Sequence, residues 1–227
     1  MKNKIVVLAS LLVLAALAAR AQNLEAVLNS MDKAASTFQT AQTDFVWDQY
    51  QKVVDEHDIQ KGVMYFRRQG NNDVQMAADI NVPDKKYVLF SGGIVSVYLP
   101  KAGQVTEYNS GKNKADFETF LVLGFGGRGH DLDKSFEVKY GGMEQVQGIQ
   151  AAKLELTPKS QKVSNMFQTI TLWIDMARGV SVQQLFNERS GDYRLAKYNN
   201  IKLNEKLSNE VFKLKTSGKV TYVKPNS

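Results

Sequence analysis

KKYVLFSGGIVSVYLPKAGQVTEY, residues 85–108, reads as three short strands joined by two tight turns. Lys85–Phe90, Ile94–Leu99 and Gln104–Tyr108 are rich in β-branched and aromatic residues, with Gly92-Gly93 and Pro100-Lys101-Ala102-Gly103 between them. Such runs bounded by glycine and proline predict strands, and connections this short join only antiparallel neighbours. The unit is a meander.

The same rhythm extends in both directions. Upstream lie Thr43–Val54, Lys61–Arg68 and Asp73–Ile80, interrupted by the polar Asp55-Glu56-His57-Asp58 and by Gly70-Asn71-Asn72. Downstream, after a break, come Phe136–Tyr140, Ile149–Thr157, Gln168–Ile174, Val180–Glu188 and Tyr193–Lys202, with turns expected at Gly141-Gly142, Gln147-Gly148, Asp175 to Gly179 and Ser190-Gly191-Asp192. Lys219–Val223 makes a last strand.

Helices are few. Leu24, Val27, Leu28, Met31, Ala35 and Phe38 recur at helical spacing and predict an amphipathic helix over Leu24–Phe38, with Asn23 as its N-cap. The break carries a second helix, Lys114–Leu123, with Phe117, Phe120 and Leu121 on one stripe. Shorter helical pieces are expected at Asp131–Lys134 and Gln161–Phe167. A flat open sheet of so many strands curls or closes. The expectation is a mainly β (α+β) fold, an unclosed antiparallel β-barrel of about eleven strands, with a helical lid over a hydrophobic cavity. A membrane barrel fits badly, since its strands need roughly 9–11 residues and several here are shorter.

Lys2 and Lys4 precede an apolar run, Ile5 to Ala19, broken only by Ser10 and followed by Ala19-Arg20-Ala21. That order predicts a secretory leader over residues 1–21, its apolar part too short to span a membrane. Residues 22–227 then form one domain, with no linker or low-complexity stretch inside. Cysteine is absent, so no disulfide, thiolate chemistry or lipobox anchor enters. The leader takes three of the 29 basic residues and leaves 26 against 23 acidic ones, too even a balance for a nucleic-acid binder.

Catalytic parts are scarce. Gly124-x-Gly126-x-x-Gly129 has the letters of a dinucleotide fingerprint but follows a helix in a chain without βαβ units, so a flexible hinge or connection is expected instead, its glycines permitting positive φ. His57 and His130 both sit in polar or glycine-rich loops, without a nucleophile motif or metal-ligand spacing around them. No enzyme activity, metal or cofactor is expected. What remains is aromatic content on strands: Phe45, Trp47, Tyr65, Phe66, Tyr87, Phe90, Tyr98, Trp173, Phe186 and Tyr198. Most fill the core, but a curled sheet of this size has more concave surface than its own side chains cover, which leaves room for a ligand.

The order of pieces resembles the LolA family of periplasmic outer-membrane lipoprotein carriers. The likeness rests on the N-terminal helix, on Gly62-Val63-Met64-Tyr65-Phe66-Arg67-Arg68, on the hairpin from Gly92 to Pro100, on Leu154-Glu155-Leu156-Thr157-Pro158-Lys159 and on Val211-Phe212-Lys213-Leu214. Gln69 stands where the family has a proline, and Ser96 and Val97 stand near its hairpin tryptophan. The resemblance implies a cavity for lipoprotein acyl chains and an arginine, here Arg68, that locks the lid of the empty form through lid backbone carbonyls. It implies acylated lipoprotein or lipid cargo, an inner-membrane release complex, an outer-membrane acceptor, and a monomer in the periplasm. The residues expected to line cavity or lid are Phe45, Trp47, Phe66, Tyr98, Phe120, Leu121 and Trp173. The alternative is a lipid- or lipoprotein-sensing module of the same fold.

Overall fold

The computed structural model describes residues 21–70, 74–109 and 123–225. Helix α1 (21–37) leads into a single twelve-stranded sheet. Its strands are β1 (Thr40–Gln51), β2 (Glu56–Arg68), β3 (Val74–Val82), β4 (Lys86–Ser91), β5 (Ile94–Leu99), β6 (Gln104–Asn109), β7 (Phe136–Val146), β8 (Ile149–Pro158), β9 (Thr169–Asp175), β10 (Val180–Asn187), β11 (Tyr193–Leu203) and β12 (Thr221–Val223). Two short helices, α2 (Leu132–Ser135) and α3 (Gln161–Met166), also lie among the described residues.

The strand order is β12-β6-β5-β4-β3-β2-β1-β11-β10-β9-β8-β7, so the sheet is two meanders spliced at β1 and β11. The chain works outward from β1 to β6, crosses to the far edge at β7, and works back to β11. β7 and β12 end the order and leave the barrel unclosed. Every pair is antiparallel except β12 on β6, which is parallel. The expected fold is thus the observed one, with one strand more than the eleven expected and one parallel pair.

Several local expectations are corrected. The helix already runs through 21–23, so Asn23 lies inside it and is not its cap. Gly141-Gly142 is no turn: β7 continues through it to Val146, with the register slipping between Tyr140 and Gly142. An extra residue taken up as a bulge bends a strand without ending it. The expected helix Lys114–Leu123 lies outside the described residues apart from Leu123, which stands in a turn.

The predicted stripe on α1 is the one that is buried: Val27, Leu28, Met31, Ala35 and Phe38. Most of it packs into the half of the trough built by β7–β10, against Phe136, Leu154, Leu156, Ile170, Leu172 and Ile174. The other half is lined by Phe45, Met64, Phe66, Met76 and Tyr198, and among the described residues Phe38 and Phe125 pack onto it from above. On the outer face, a C-terminal turn, Asn209–Phe212, buries Phe212 beside β2 and β3. Among the described residues no helix is long and apolar enough to cross a membrane.

Candidate functional site

Half a trough filled by a helix leaves the other half as a cavity. Its volume is about 520 Å³, and its walls are the inward residues of β1–β5, β10 and β11. They alternate along each strand as a pleat requires: Phe45, Trp47 and Gln49 on β1; Met64 and Phe66 on β2; Met76, Ala78 and Ile80 on β3. Ligand pockets generally span roughly 300–1,000 Å³ with mostly apolar walls. A second hollow, on the outer face beside Tyr65 and Tyr87, has about 10 Å³ and holds at most a water.

The roof comes from α1, the segment 123–131 and α3. Phe125 stacks on Phe66 with ring centres 5.0 Å apart and meets Tyr198 edge-on at 4.9 Å. The Tyr198 hydroxyl donates to Gln184 Oε1 at 3.1 Å, and Gln184 Nε2 donates to the Leu123 carbonyl. Complete burial pushes the Tyr198 hydroxyl pKa well up, so it stays a neutral donor. The glycines of the segment form a connection in which Gly124 and Gly126 take positive φ, as expected, and they are also places of close contact. A Cβ on Gly126 would lie 2.5 Å from the Phe38 ring, and one on Gly129 2.5 Å from the Leu28 carbonyl oxygen.

Two polar contacts fasten this roof. Arg68 ends β2 on its concave face; its Nη1 donates to the Ala35 carbonyl of α1 at 2.9 Å and its Nη2 to the Gly126 carbonyl at 2.6 Å. One fork of donors thereby bridges both roof pieces to the sheet. Arg67, one residue earlier, points to the opposite face, donates to Asn209 Oδ1 and lies 4.2 Å from the Phe212 ring centre. At the other end of the segment, His130 Nδ1 sits 2.7 Å from Asp32 Oδ2 and Nε2 3.2 Å from Glu25 Oε1, both on α1. The bond to Asp32 raises the His130 pKa against the opposing effect of burial, and Glu25 adds to the rise. Partial burial pushes the Asp32 carboxyl up, but its bonds to His130 outweigh that and hold it below the usual carboxylate range.

The sequence-predicted residues divide cleanly. Phe45, Trp47 and Phe66 line the cavity. Tyr98 does not: it lies on the outer face of β5, stacked on Tyr87, where its hydroxyl accepts from the Ser217 backbone N–H at 3.4 Å. Trp173 does not either; it is buried with Val146, Ala151 and Val182, and its indole donates to Glu144 at 2.6 Å. Ile170, Leu172 and Ile174, alternating with it on β9, are the ones that face α1. Phe120 and Leu121 lie outside the described residues. The reading missed Phe125, hidden in a glycine run, and the methionines Met64 and Met76, whose period-two spacing with Phe66 and Ala78 was the available signal.

His57 pairs with Asp48 at 2.7 Å beside the exposed tip of the β1–β2 hairpin, its ring tilted against that of Tyr50 at 4.9 Å. Among the described residues no group of three or more histidines and carboxylates could hold a metal.

The family model described as outer membrane lipoprotein carrier protein LolA matches residues 36–215. The chain belongs to the LolA family. A search of curated proteins returns no significant match. Among solved structures, MucB superposes with a TM-score of 0.56 at 12% identity, covering 89% of this chain and 66% of that one. An uncharacterized conserved protein from Thermus thermophilus gives 0.55 at 11% identity, covering 86% of this chain and 96% of that one. The Pseudomonas aeruginosa MucA/MucB complex gives 0.51 at 13% identity, over 85% of this chain. This LolA-family chain spans only 61% to 66% of the MucB-containing chains it matches. At such identities the likeness is one of fold.

Proposed function

We propose that this LolA-family chain is a periplasmic carrier that takes the acyl chains of lipoproteins, or of a related lipid, into its cavity and moves them from the inner to the outer membrane. The observation that carries the reading is the apolar hollow of about 520 Å³ beneath a roof held to the sheet by side-chain contacts. With about 30 Å³ for a group the size of a water or a methylene, it has room for roughly seventeen. An exposed methylene costs about 0.8 kcal/mol, so a sixteen-carbon chain in water faces a barrier on the order of 12 kcal/mol that such a hollow removes. Arg68 acts as the lock of the empty form, and Phe45, Trp47 and Phe66 meet the chain. The working protein is one exported domain, residues 22–227, which meets an inner-membrane release complex and an outer-membrane acceptor as a monomer. It binds no nucleic acid and catalyses no reaction.

Incubation with inner-membrane vesicles carrying a labelled lipoprotein, together with their release machinery, should yield a soluble one-to-one complex; recovery of none would count against transport. A second reading, a lipid- or lipoprotein-sensing module, draws on the fold shared with MucB, a protein crystallised with MucA. A sensor would change its hold on a protein partner when an acyl ligand enters, without delivering that ligand to acceptor membranes.

A further inference from the structure

One end of the hollow is polar, and its charges are of one sign. Four strands bring a polar inward residue to that end: Gln49 on β1, Gln60 on β2, Lys86 on β4 and Arg194 on β11. Deeper along the same strands the inward residues Trp47, Met64, Val88 and Ala196 are apolar. In an antiparallel sheet the late part of β1 and the early parts of β2, β4 and β11 lie together, and Gln49 stands directly opposite Arg194. Arg68, the last residue of β2, is at the other end.

Of the residues that line the hollow, Lys86 and Arg194 are the charged ones, and no carboxylate is among them. The two cations differ in what already holds them. Arg194 is paired with Glu188 at 2.9 Å, so its charge is answered within the protein. Lys86 Nζ donates to a neutral group, Gln60 Oε1, at 2.7 Å and forms no ion pair among the described residues. Asp58 Oδ2 accepts from Gln60 Nε2 at 2.8 Å, which leaves the whole amide between that carboxylate and the ammonium. Lys86 and Gln60 both line the hollow and both are half-buried, so the pair is open to it and not sealed in the wall. An anion is a stronger partner for an ammonium than an amide oxygen is.

Resting on the reading of the hollow as an acyl-chain site, we propose that it selects an amphiphile with one acyl chain and an anionic head, carboxylate or phosphate, and that Lys86 holds the head. The tail lies against Met64 and Phe66. The head replaces Gln60 as the partner of the Lys86 ammonium. Among acyl cargoes of equal length, the site prefers one whose head is an anion to one whose head is an uncharged glycerol.

The test uses the full chain and three single-chain probes with a sixteen-carbon tail: palmitate, lysophosphatidate and uncharged monopalmitoylglycerol. Each competes with a fluorescent acyl ligand below its micellar concentration. Wild type should bind both anions on the order of tenfold more tightly than the glycerol ester, as one charge-assisted hydrogen bond implies. The tighter of the two anions names the head. K86Q, which loses the charge and keeps a polar side chain, should bind all three as wild type binds the glycerol ester, and K86R should keep the preference. Raising the ionic strength should narrow the gap in wild type and leave K86Q unchanged, because a half-buried pair is partly screened. Equal binding of the three probes to wild type, or a preference that survives in K86Q, would overturn the proposal and leave the acyl-chain site standing. Binding of none would overturn both.

Discussion

Replacing Arg68 by leucine tests how the roof is held. The two guanidinium bonds to the Ala35 and Gly126 carbonyls are charge-assisted, and such bonds contribute about 1.5–3 kcal/mol each. Because the residue is only half-buried, the lower figure applies, and the pair contributes about 3 kcal/mol to the closed roof. At about 1.4 kcal/mol per factor of ten, R68L shifts the closed–open equilibrium on the order of a hundredfold toward open. If a chain enters fully only when the roof lifts, its apparent affinity rises by about the same factor, because the protein no longer holds most of its molecules in the closed state.

The assay is the dissociation rate of a fluorescent sixteen-carbon acyl ligand, followed by transfer of a labelled lipoprotein from the loaded protein to acceptor membranes. R68L should load at least as well as wild type, release the ligand one to two orders of magnitude more slowly and fail in transfer. R68K keeps the charge but lacks the fork that spans two carbonyls, and it should fall between. The leucine lands beside the Phe38 ring, so the fold survives. Unchanged affinity in a folded R68L would refute the lock. Weaker affinity would place the arginine on the cargo.

Three further outcomes follow from the geometry. His130 is held above its ordinary 6.5 and Asp32 below its ordinary 3.8. The imidazole's share of the tether is therefore complete below pH 6.5 and lost as pH rises through the raised value, and the carboxylate's share is complete above pH 3.8 and lost as pH falls through the lowered one. Hydrogen-exchange protection of segment 123–131 should be greatest between those limits and fall above them, and H130Q should abolish the alkaline fall; a pH-independent wild type would refute the tether. A Cβ on Gly62 would lie 2.1 Å from the Asp79 carbonyl oxygen, so G62A must part β2 from β3. That costs about 3 kcal/mol and lowers Tm by about 6–12 °C in a chain of this size, while a shift under a degree would refute the close approach. W173F should lose about 1 kcal/mol of stability with its bond to Glu144 and bind acyl ligands as wild type does, whereas F66Q should weaken them at least tenfold. Equal loss of binding in both would put Trp173 in the cavity after all.

Why Phe66 could be placed from sequence and Trp173 could not is a matter of which strands have one wet face. Residues 85–108 show the legible case: Ile94–Leu99 was bounded to the residue, because glycine and proline turns stand at both ends. Strand existence and the stripe on α1 were equally readable, since both rest on period and punctuation. Facing is another matter. On β9 every residue from Ile170 to Asp175 is buried, so alternation along TITLWID carries no sign of which side meets α1. On β5 the outer side of Tyr98 is covered by a segment more than a hundred residues later, around Ser217. Both aromatics are buried, as expected, and both on the wrong side.

The cavity itself was readable only as a surplus of concave surface. Its position depends on where α1 lies, and that is decided by long-range fit: the wide apolar stripe of Val27, Leu28 and Met31 meets the leucine and isoleucine wall of β8 and β9, while the β1–β4 wall, offering Phe, Met and Ala side chains, meets Phe38 and Phe125 among the described residues. A helix that fills one half of a trough and reaches the other at its end leaves, among the described residues, a hollow that is apolar toward Phe66 and Phe125 and polar toward Gln60 and Arg194. That asymmetry favours a cargo with a single greasy end. It also puts the fastening where it is found, at the end of the helix: Arg68 holds Ala35, one turn before Phe38, so lifting that last turn exposes the hollow without disturbing the packed half.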